Sequence, residues 1–415
     1  MQIDQRTRLG VLTTSYPRYS DDFAGNFVYG LNRELRKENI LTDTLVPFSP
    51  VDDAPVDIGN TLLTVRNDFK VHQPAEAWTT QLKLQPGSKK RYPKSREDLT
   101  AWTAAIRLSL QQMHATQKQC RHWDAIICHW LLPSGLTAAT TALNIPRFMI
   151  AHGSDIHLIR RLPSLIRTYL WQLLVNRNAN GALIFVSKSL RDIAAHSAPN
   201  AIKPKILSSP VLPMGVDIPC SPKPGSNNMS TTEISIGYLG RLIPSKGVGR
   251  LLDAVSQLKH GTEPIACHII GDGPERETLI NRASRMRRSV TFHGTVTGQA
   301  KWDLLSKMNV VVLPYERTRC GAFDGAPVTP LEILAAGVPL ICSDIALEEA
   351  PKQIVRKVAH GSTDAITSAL NEFIKDPTPF QNQITAGQHW AKTQSWQNQG
   401  HKFVKLIRAN ATIHT

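Results

Sequence analysis

Nine short apolar runs recur along this chain, each closed by Gly, Ser, His or Pro and followed by residues at helical spacing. In the first half they are LGVLTTSYP, AIICHWLLPSG, RFMIAHGSD and ALIFVSKS. In the second they are ISIGYLGR, CHIIGDGP, VTFHG, VVVLPYE and PLICSD. A strand with one wet face alternates apolar and polar residues, whereas a strand covered on both faces reads as a continuous run. Continuous runs alternating with helices therefore predict parallel sheets in an α/β fold. Two helices stand out between the runs. One is VGRLLDAVSQLK, apolar at Val248, Leu251, Leu252, Val255 and Leu258; the other is LIRTYLWQLLV, apolar at Leu165, Ile166, Tyr169, Leu170, Leu173 and Leu174.

A chain of 415 residues is long enough for two cores. The stretch SPKPGSNNMSTTE, 221–233, has linker composition. It predicts a domain over 1–215, a linker over 216–233, a second domain over 234–390 and a closing segment over 391–415. Hydrophobic residues make up 41% and charged residues 20%, which fits globular domains and excludes disorder. No apolar run approaches membrane-spanning length, and MQIDQRTRLG lacks the features of a secretory signal. The six cysteines show no Cys-x-x-Cys spacing and read as reduced thiols. The expected location is cytoplasmic. Net charge is +15, the larger part on residues 1–215. Such an excess attracts anionic ligands, nucleic acid or an anionic membrane face. No nucleic-acid recognition motif or interleaved basic-aromatic run accompanies it, so nucleic acid is not an expected partner.

In open parallel sheets, ligands bind beyond the carboxyl ends of the strands. That rule selects Gly25 after the first run, His152 in RFMIAHGSD, Arg241 and Lys246 after ISIGYLGR, and Asp324 and Glu332 after VVVLPYE. Arg241 and Lys246 bracket a helix start, where free amides and two cations suit a diphosphate; the alternative is a pair of solvated charges. His152 either donates to a ligand or satisfies a buried carbonyl. Glu332 has a local role to hand. Thr329 as N-cap, Pro330 at the first helical position and Glu332 three past the cap predict a capping box, with Gly337 ending the helix. Asp324 has no local role. The GDGP turn lacks a full Gly-x-Gly-x-x-Gly, and no P-loop or Gly-x-Ser-x-Gly elbow occurs. No Asp-x-Asp is present to hold a metal on a nucleotide diphosphate, so no metal is expected.

Taken in order, TSYPRYSDDFAGNFV, HGSD, PMGVD, GYLGRLIPSKGV, IIGDGPE, VTFHGTV, LEILAAGVPLICSD and QSWQNQGHKFVKLI resemble the retaining nucleotide-sugar glycosyltransferases of family 4. The resemblance covers nearly the whole chain. It implies the GT-B fold, two facing Rossmann-like α/β domains with a cleft between them: an N-terminal acceptor domain, a C-terminal nucleotide-sugar domain and a closing helix packed back on the first. It implies that Arg241 and Lys246 grip the donor diphosphate, that Gly25 approaches it, that His152 lies near the transferred sugar and that Val296 meets the base. Asp324 with its neighbour Gly325 would face the donor sugar, and Glu332 the ribose. Asp324 stands where the family has glutamate, and GAP follows it in place of the usual Gly-Phe-Gly. The implied substrate is a UDP- or GDP-linked sugar with no resident cofactor. The implied acceptor is a glycan, glycolipid or small molecule. The helix LIRTYLWQLLVNR, with its Trp171 and the nearby Arg160, Arg161, Arg167 and Arg177, reads either as a face for an anionic membrane, met from the inner side, that presents a lipid-linked acceptor, or as a packing helix with a solvated rim. A sugar-nucleotide epimerase of the same fold, or a silent binding module, would share these motifs.

Overall fold

The computed structural model describes residues 7–16, 25–47, 62–65, 113, 116, 123–141, 144–177, 180–219, 233–258, 264–317 and 328–410. The chain forms two compact units, one of residues Met1–Gly215 with Trp396–Thr415, the other of Val216–Ser395.

The first unit is built on six parallel strands: β1 (Arg8–Leu12), β2 (Leu41–Pro47), β3 (Leu62–Val65), β4 (Ala125–His129), β5 (Arg147–Ala151) and β6 (Ala182–Phe185). Their spatial order is β3-β2-β1-β4-β5-β6. Every residue of β4 and β5 is buried, which is why those runs carry no polar alternation. Helix α1 (Asn26–Lys37) follows β1, α2 (Ser154–Arg161) and α3 (Ser164–Asn176) follow β5, and α4 (Lys188–Ser197) follows β6. Ser187 starts α4 by accepting the Leu190 N–H, 3.3 Å.

The second unit repeats the plan with β7 (Ile234–Leu239), β8 (Ile265–Ile270), β9 (Ser289–Gly294), β10 (Val310–Leu313), β11 (Leu340–Ser343) and β12 (Arg356–Val358), in the order β12-β11-β10-β7-β8-β9. Its helices are α5 (Val248–Gln257), α6 (Arg276–Ala283), α7 (Gly298–Leu305), α8 (Thr329–Ala336), α9 (Thr363–Lys375) and α10 (Thr378–Thr393). Each sheet is therefore wound outward in both directions from its first strand. The crevice-forming reversal falls between β1 and β4 in one unit and between β7 and β10 in the other. The expected two-domain Rossmann-like α/β architecture is present.

Helix α11 (Trp396–Asn410) returns to the first unit and packs on α1. Two glycines allow the approach. A Cβ on Gly30 would lie 2.3 Å from the Trp396 indole, and one on Gly400 would lie 2.5 Å from Glu34. Trp396 is 5% exposed. Just before it, Ser395 bridges to Val216, whose N–H donates to Gln394 O at 3.1 Å.

Two local expectations are corrected. The capping box does not form: α8 begins at Thr329, one residue early, with Val328 as N-cap and no side-chain cap. The Val328 carbonyl takes the Leu331 and Glu332 amides, 2.9 and 3.1 Å, and Lys301 of α7 takes the Glu332 carboxylate, 2.6 Å. A charge-assisted bond to a neighbouring helix displaces a weaker local one. Gly337 does end α8 in the left-handed region, φ 72°. The inward face of α3 also differs. Leu170, Trp171 and Leu174 are buried, while Leu165, Ile166 and Tyr169 are 83, 54 and 67% exposed. Only the second half of α3 reaches the core. Trp171 is fully buried, donating through Nε1 to Ser197 Oγ at 3.1 Å, and so faces no membrane.

Candidate functional site

At the β7–β10 reversal, the chain leaves β7 through Gly240 and Arg241. The Arg241 carbonyl accepts the Tyr238 hydroxyl, 2.9 Å, and the Leu242 N–H donates to Asp272 O, 2.8 Å. These bonds fix the backbone and leave the Arg241 side chain on the exposed face of the loop. A single 3-10 turn, Pro244–Lys246, then leads through Gly247 into α5. Gly247 has φ 66°, and a Cβ there would fall 2.0 Å from Pro314 O at the exit of β10. The loops after β7 and β10 are thus pressed together, with the Glu316 N–H donating to Ser245 O at 2.9 Å. Lys246 is only 6% exposed, its Nζ 3.7 Å from the Tyr315 ring centroid. Lysine is seldom buried without anionic or aromatic company. Arg250, one turn into α5, pairs with Glu316. Burial, and then the nearby Glu316, raises the Glu275 carboxyl above its ordinary range. No side chain caps α5, so its first amides point from a segment carrying three cations in ten residues.

On the same unit, Val296 is half-buried in the connection from β9 to α7. Glu332 of α8 is held by Lys301, whose Nζ also lies 4.5 Å from the Trp302 ring centroid. Asp324 and Gly325 lie outside the described residues.

In the first unit the reversal lies between β1 and β4. Gly25 caps α1 with φ 68°, and a Cβ there would sit 2.4 Å from Ser15 O. The site tolerates no side chain. His129 ends β4 and His152 follows β5, on neighbouring strands. His129 Nδ1 and His152 Nε2 are 3.1 Å apart, the two rings being 19° from parallel. Around His152 stand Phe27, centroid distance 4.7 Å, and Trp130, 4.9 Å. Trp130 adopts φ 67°, a costly conformation for a bulky side chain. Burial pushes the His129 imidazole down to about 3; burial, and then His129, holds His152 well below 6.5. Both rings are neutral near pH 7. Beneath them Asp155, 3% exposed, accepts N–H bonds from Leu131, Gly153 and Ile156 at 2.7, 2.8 and 3.0 Å. It ties the exit of β4 to the start of α2. Burial raises the Asp155 carboxyl, and these amides oppose the shift.

Thus Arg241, Lys246, Val296 and Glu332 belong to one unit and Gly25 and His152 to the other. Sequence reading missed His129, Trp130, Asp155, Lys301 and Tyr315. Of these, His129, Trp130 and Tyr315 lie at strand exits and satisfy the rule that selected the rest.

Residues 222–390 match the family model of the glycosyl transferases, group 1. Over 211 residues the chain is 29% identical to a GDP-mannose-dependent alpha-(1-6)-phosphatidylinositol monomannoside mannosyltransferase of Mycolicibacterium smegmatis, covering 47% of this chain and 55% of that relative. The match thus spans little more than half that relative's length. A putative teichuronic acid biosynthesis glycosyltransferase of Bacillus subtilis, TuaC, is 24% identical over 80% of each chain. Among solved structures, a sucrose-phosphate synthase from Thermosynechococcus elongatus superposes with TM-score 0.70 at 16% identity, over 97% of this chain and 99% of that one.

Proposed function

We propose that this chain, whose residues 222–390 match the group 1 glycosyl transferase family model, is a retaining glycosyltransferase moving a sugar from a nucleoside-diphosphate donor to an acceptor hydroxyl. The observation that carries the reading is Lys246, held 6% exposed over Tyr315 at the β7–β10 reversal, with Arg241 in the same loop. Breaking the anomeric C–O bond sends its electron pair to a phosphate oxygen, so negative charge grows on the diphosphate and positive character on the sugar carbon. Arg241, Lys246 and the first amides of α5 take up the phosphate charge, in the role a divalent ion would fill. The acceptor oxygen bonds to the anomeric carbon on the face the diphosphate leaves, and its proton passes to the departing phosphate oxygen. His152 hydrogen-bonds the transferred sugar, Asp324 faces its hydroxyls, Glu332 meets the ribose, and Val296 and Gly25 approach the base and the diphosphate. The named mannosyltransferase makes GDP-mannose the first donor to try, with UDP-sugars next.

The acceptor we propose is lipid-linked and met at an anionic membrane. The support is α3, where Leu165, Ile166 and Tyr169 stand exposed close to Arg160 and Arg161 at the end of α2 and to Arg167, which donates to the Arg160 and Leu162 carbonyls at 3.2 and 3.4 Å. Three large exposed apolar side chains within five residues, with three arginines nearby, suit a bilayer interface with acidic headgroups. Among the described residues, no helix is long and apolar enough to cross a membrane.

The deciding experiment incubates the full chain with GDP-mannose, UDP-glucose or UDP-N-acetylglucosamine, following melting temperature and nucleotide release with a lipid extract as acceptor. Binding of one nucleotide series and acceptor-dependent release are expected. Release of an epimerised sugar nucleotide without acceptor would replace the reading with an epimerase, and no binding of any nucleotide would replace it with a silent module.

A further inference from the structure

We infer that His129 is a positioning residue that fixes the proton of His152 on its outward nitrogen, Nδ1, making His152 an obligate hydrogen-bond donor to the bound ligand. The inference rests on the proposed reading only in naming the donor sugar or its phosphate as that ligand.

The argument starts from an orphan. His129 is fully buried, and its Nε2 has no hydrogen-bond partner among the described residues. Such a group in a folded core calls for an explanation. Its Nδ1 lies 3.1 Å from His152 Nε2, so one hydrogen occupies the gap. Two arrangements of neutral rings are possible. In the first, His129 carries its proton on Nδ1 and donates to His152 Nε2; its own Nε2 is then a bare lone pair, and the His152 proton must sit on Nδ1. In the second, His152 Nε2–H donates to His129 Nδ1, and the His129 proton is forced onto Nε2, where it becomes a buried N–H with no acceptor. Orphaned buried N–H groups are the rarer defect, which favours the first arrangement. A protonated pair is disfavoured because both rings are held neutral by burial.

The surroundings hold this register. His129 is fixed by β4, its neighbour Trp130 donates an N–H to Ile150 O at 2.9 Å, and Phe27 and Trp130 pack on His152. Asp155 spends both carboxylate oxygens on backbone amides of the two loops. His152 is the more exposed of the pair, and its Nδ1 carries no hydrogen bond among the described residues. A ligand at that nitrogen meets an N–H, which suits a hydroxyl or phosphate oxygen.

The test has two arms on the full chain. The first labels histidine with nitrogen-15 and reads the tautomers by two-bond proton–nitrogen correlation, assigned with the variants His129→Asn and His152→Asn. Protons on Nδ1 of both rings are expected; a proton on His152 Nε2 overturns the inference. The second compares turnover of His129→Phe, which removes the donor, with His129→Asn, whose amide nitrogen falls near the Nδ1 position. A fall of about 10- to 100-fold in kcat is expected for the phenylalanine variant, with KM for the sugar nucleotide little changed, and asparagine should recover most of it. Equal losses in both variants, or none in either, overturn the inference. If the wild-type chain turns over no sugar nucleotide, the enzymatic reading fails while the spectroscopic arm still decides the tautomer.

Discussion

Replacing Arg241 by alanine separates transition-state stabilisation from folding unusually well, because the structure divides the residue's duties. The carbonyl accepts the Tyr238 hydroxyl, and alanine keeps that carbonyl. The side chain stands on the exposed face of the loop. Stability should therefore change by no more than about 0.5 kcal/mol, as for other surface substitutions. Turnover should not escape so lightly. Removing one preorganised donor from a developing oxyanion costs about 10²–10³ in kcat, equivalent to about 2.7–4 kcal/mol. Steady-state transfer from the preferred sugar nucleotide, measured beside urea unfolding of the same preparations, gives both quantities. Lys246→Met is the companion variant. It keeps volume over Tyr315 and loses a cation–π contact of about 0.5–2 kcal/mol, yet should show a similar kcat deficit. Wild-type kcat in Arg241→Ala would refute the role given to the guanidinium. A loss that appears in KM alone would assign it to ground-state binding instead.

Other outcomes follow from the same geometry. Trp396→Ala should destabilise the chain by about 3–5 kcal/mol in urea unfolding, because the indole fills the space left by Gly30 and Gly215. The histidine pair gives stability a pH dependence. Its folded values lie below the ordinary 6.5, so the unfolded chain binds more protons at mildly acid pH, and stability should fall as pH drops from about 7 towards 5.5. The urea midpoint should lose part of that slope in His152→Asn. Leu165→Glu with Ile166→Glu should abolish sedimentation with vesicles containing acidic phospholipid while leaving the melting temperature near wild type.

Much of the fold was legible because burial on both faces writes itself into composition: β4, β5, β10 and β11 are runs with no polar interruption apart from His129, Arg147 and Ser343 at their ends. Strand β2 was not legible. Its Thr42, Asp43 and Thr44 are buried yet polar, with Asp43 satisfied by Arg8 at 2.7 and 2.8 Å and by Trp123 Nε1 at 2.7 Å, and Thr44 by Asn32 at 2.9 Å. Their partners are distant in sequence, so the segment reads as a loop. The same cause hid Lys301, which claims Glu332 from another helix, and made the capping box look complete. The Arg241–Lys246 loop was legible because its signal, cations between a strand end and a helix start, is local. His129 is local too, but only its pairing across β4 and β5 gives it a partner and so a role.

The return of α11 to α1 has a consequence for how the molecule is made. The face of α1 carrying Gly30 waits for an indole translated some 180 residues after Gly215, so on the ribosome the first unit stays unfinished while the second is synthesised. Until then the uncovered side of α1 is exposed to neighbouring chains, and a ribosome that stalls before Trp396 releases a polypeptide whose leading half lacks its own seal.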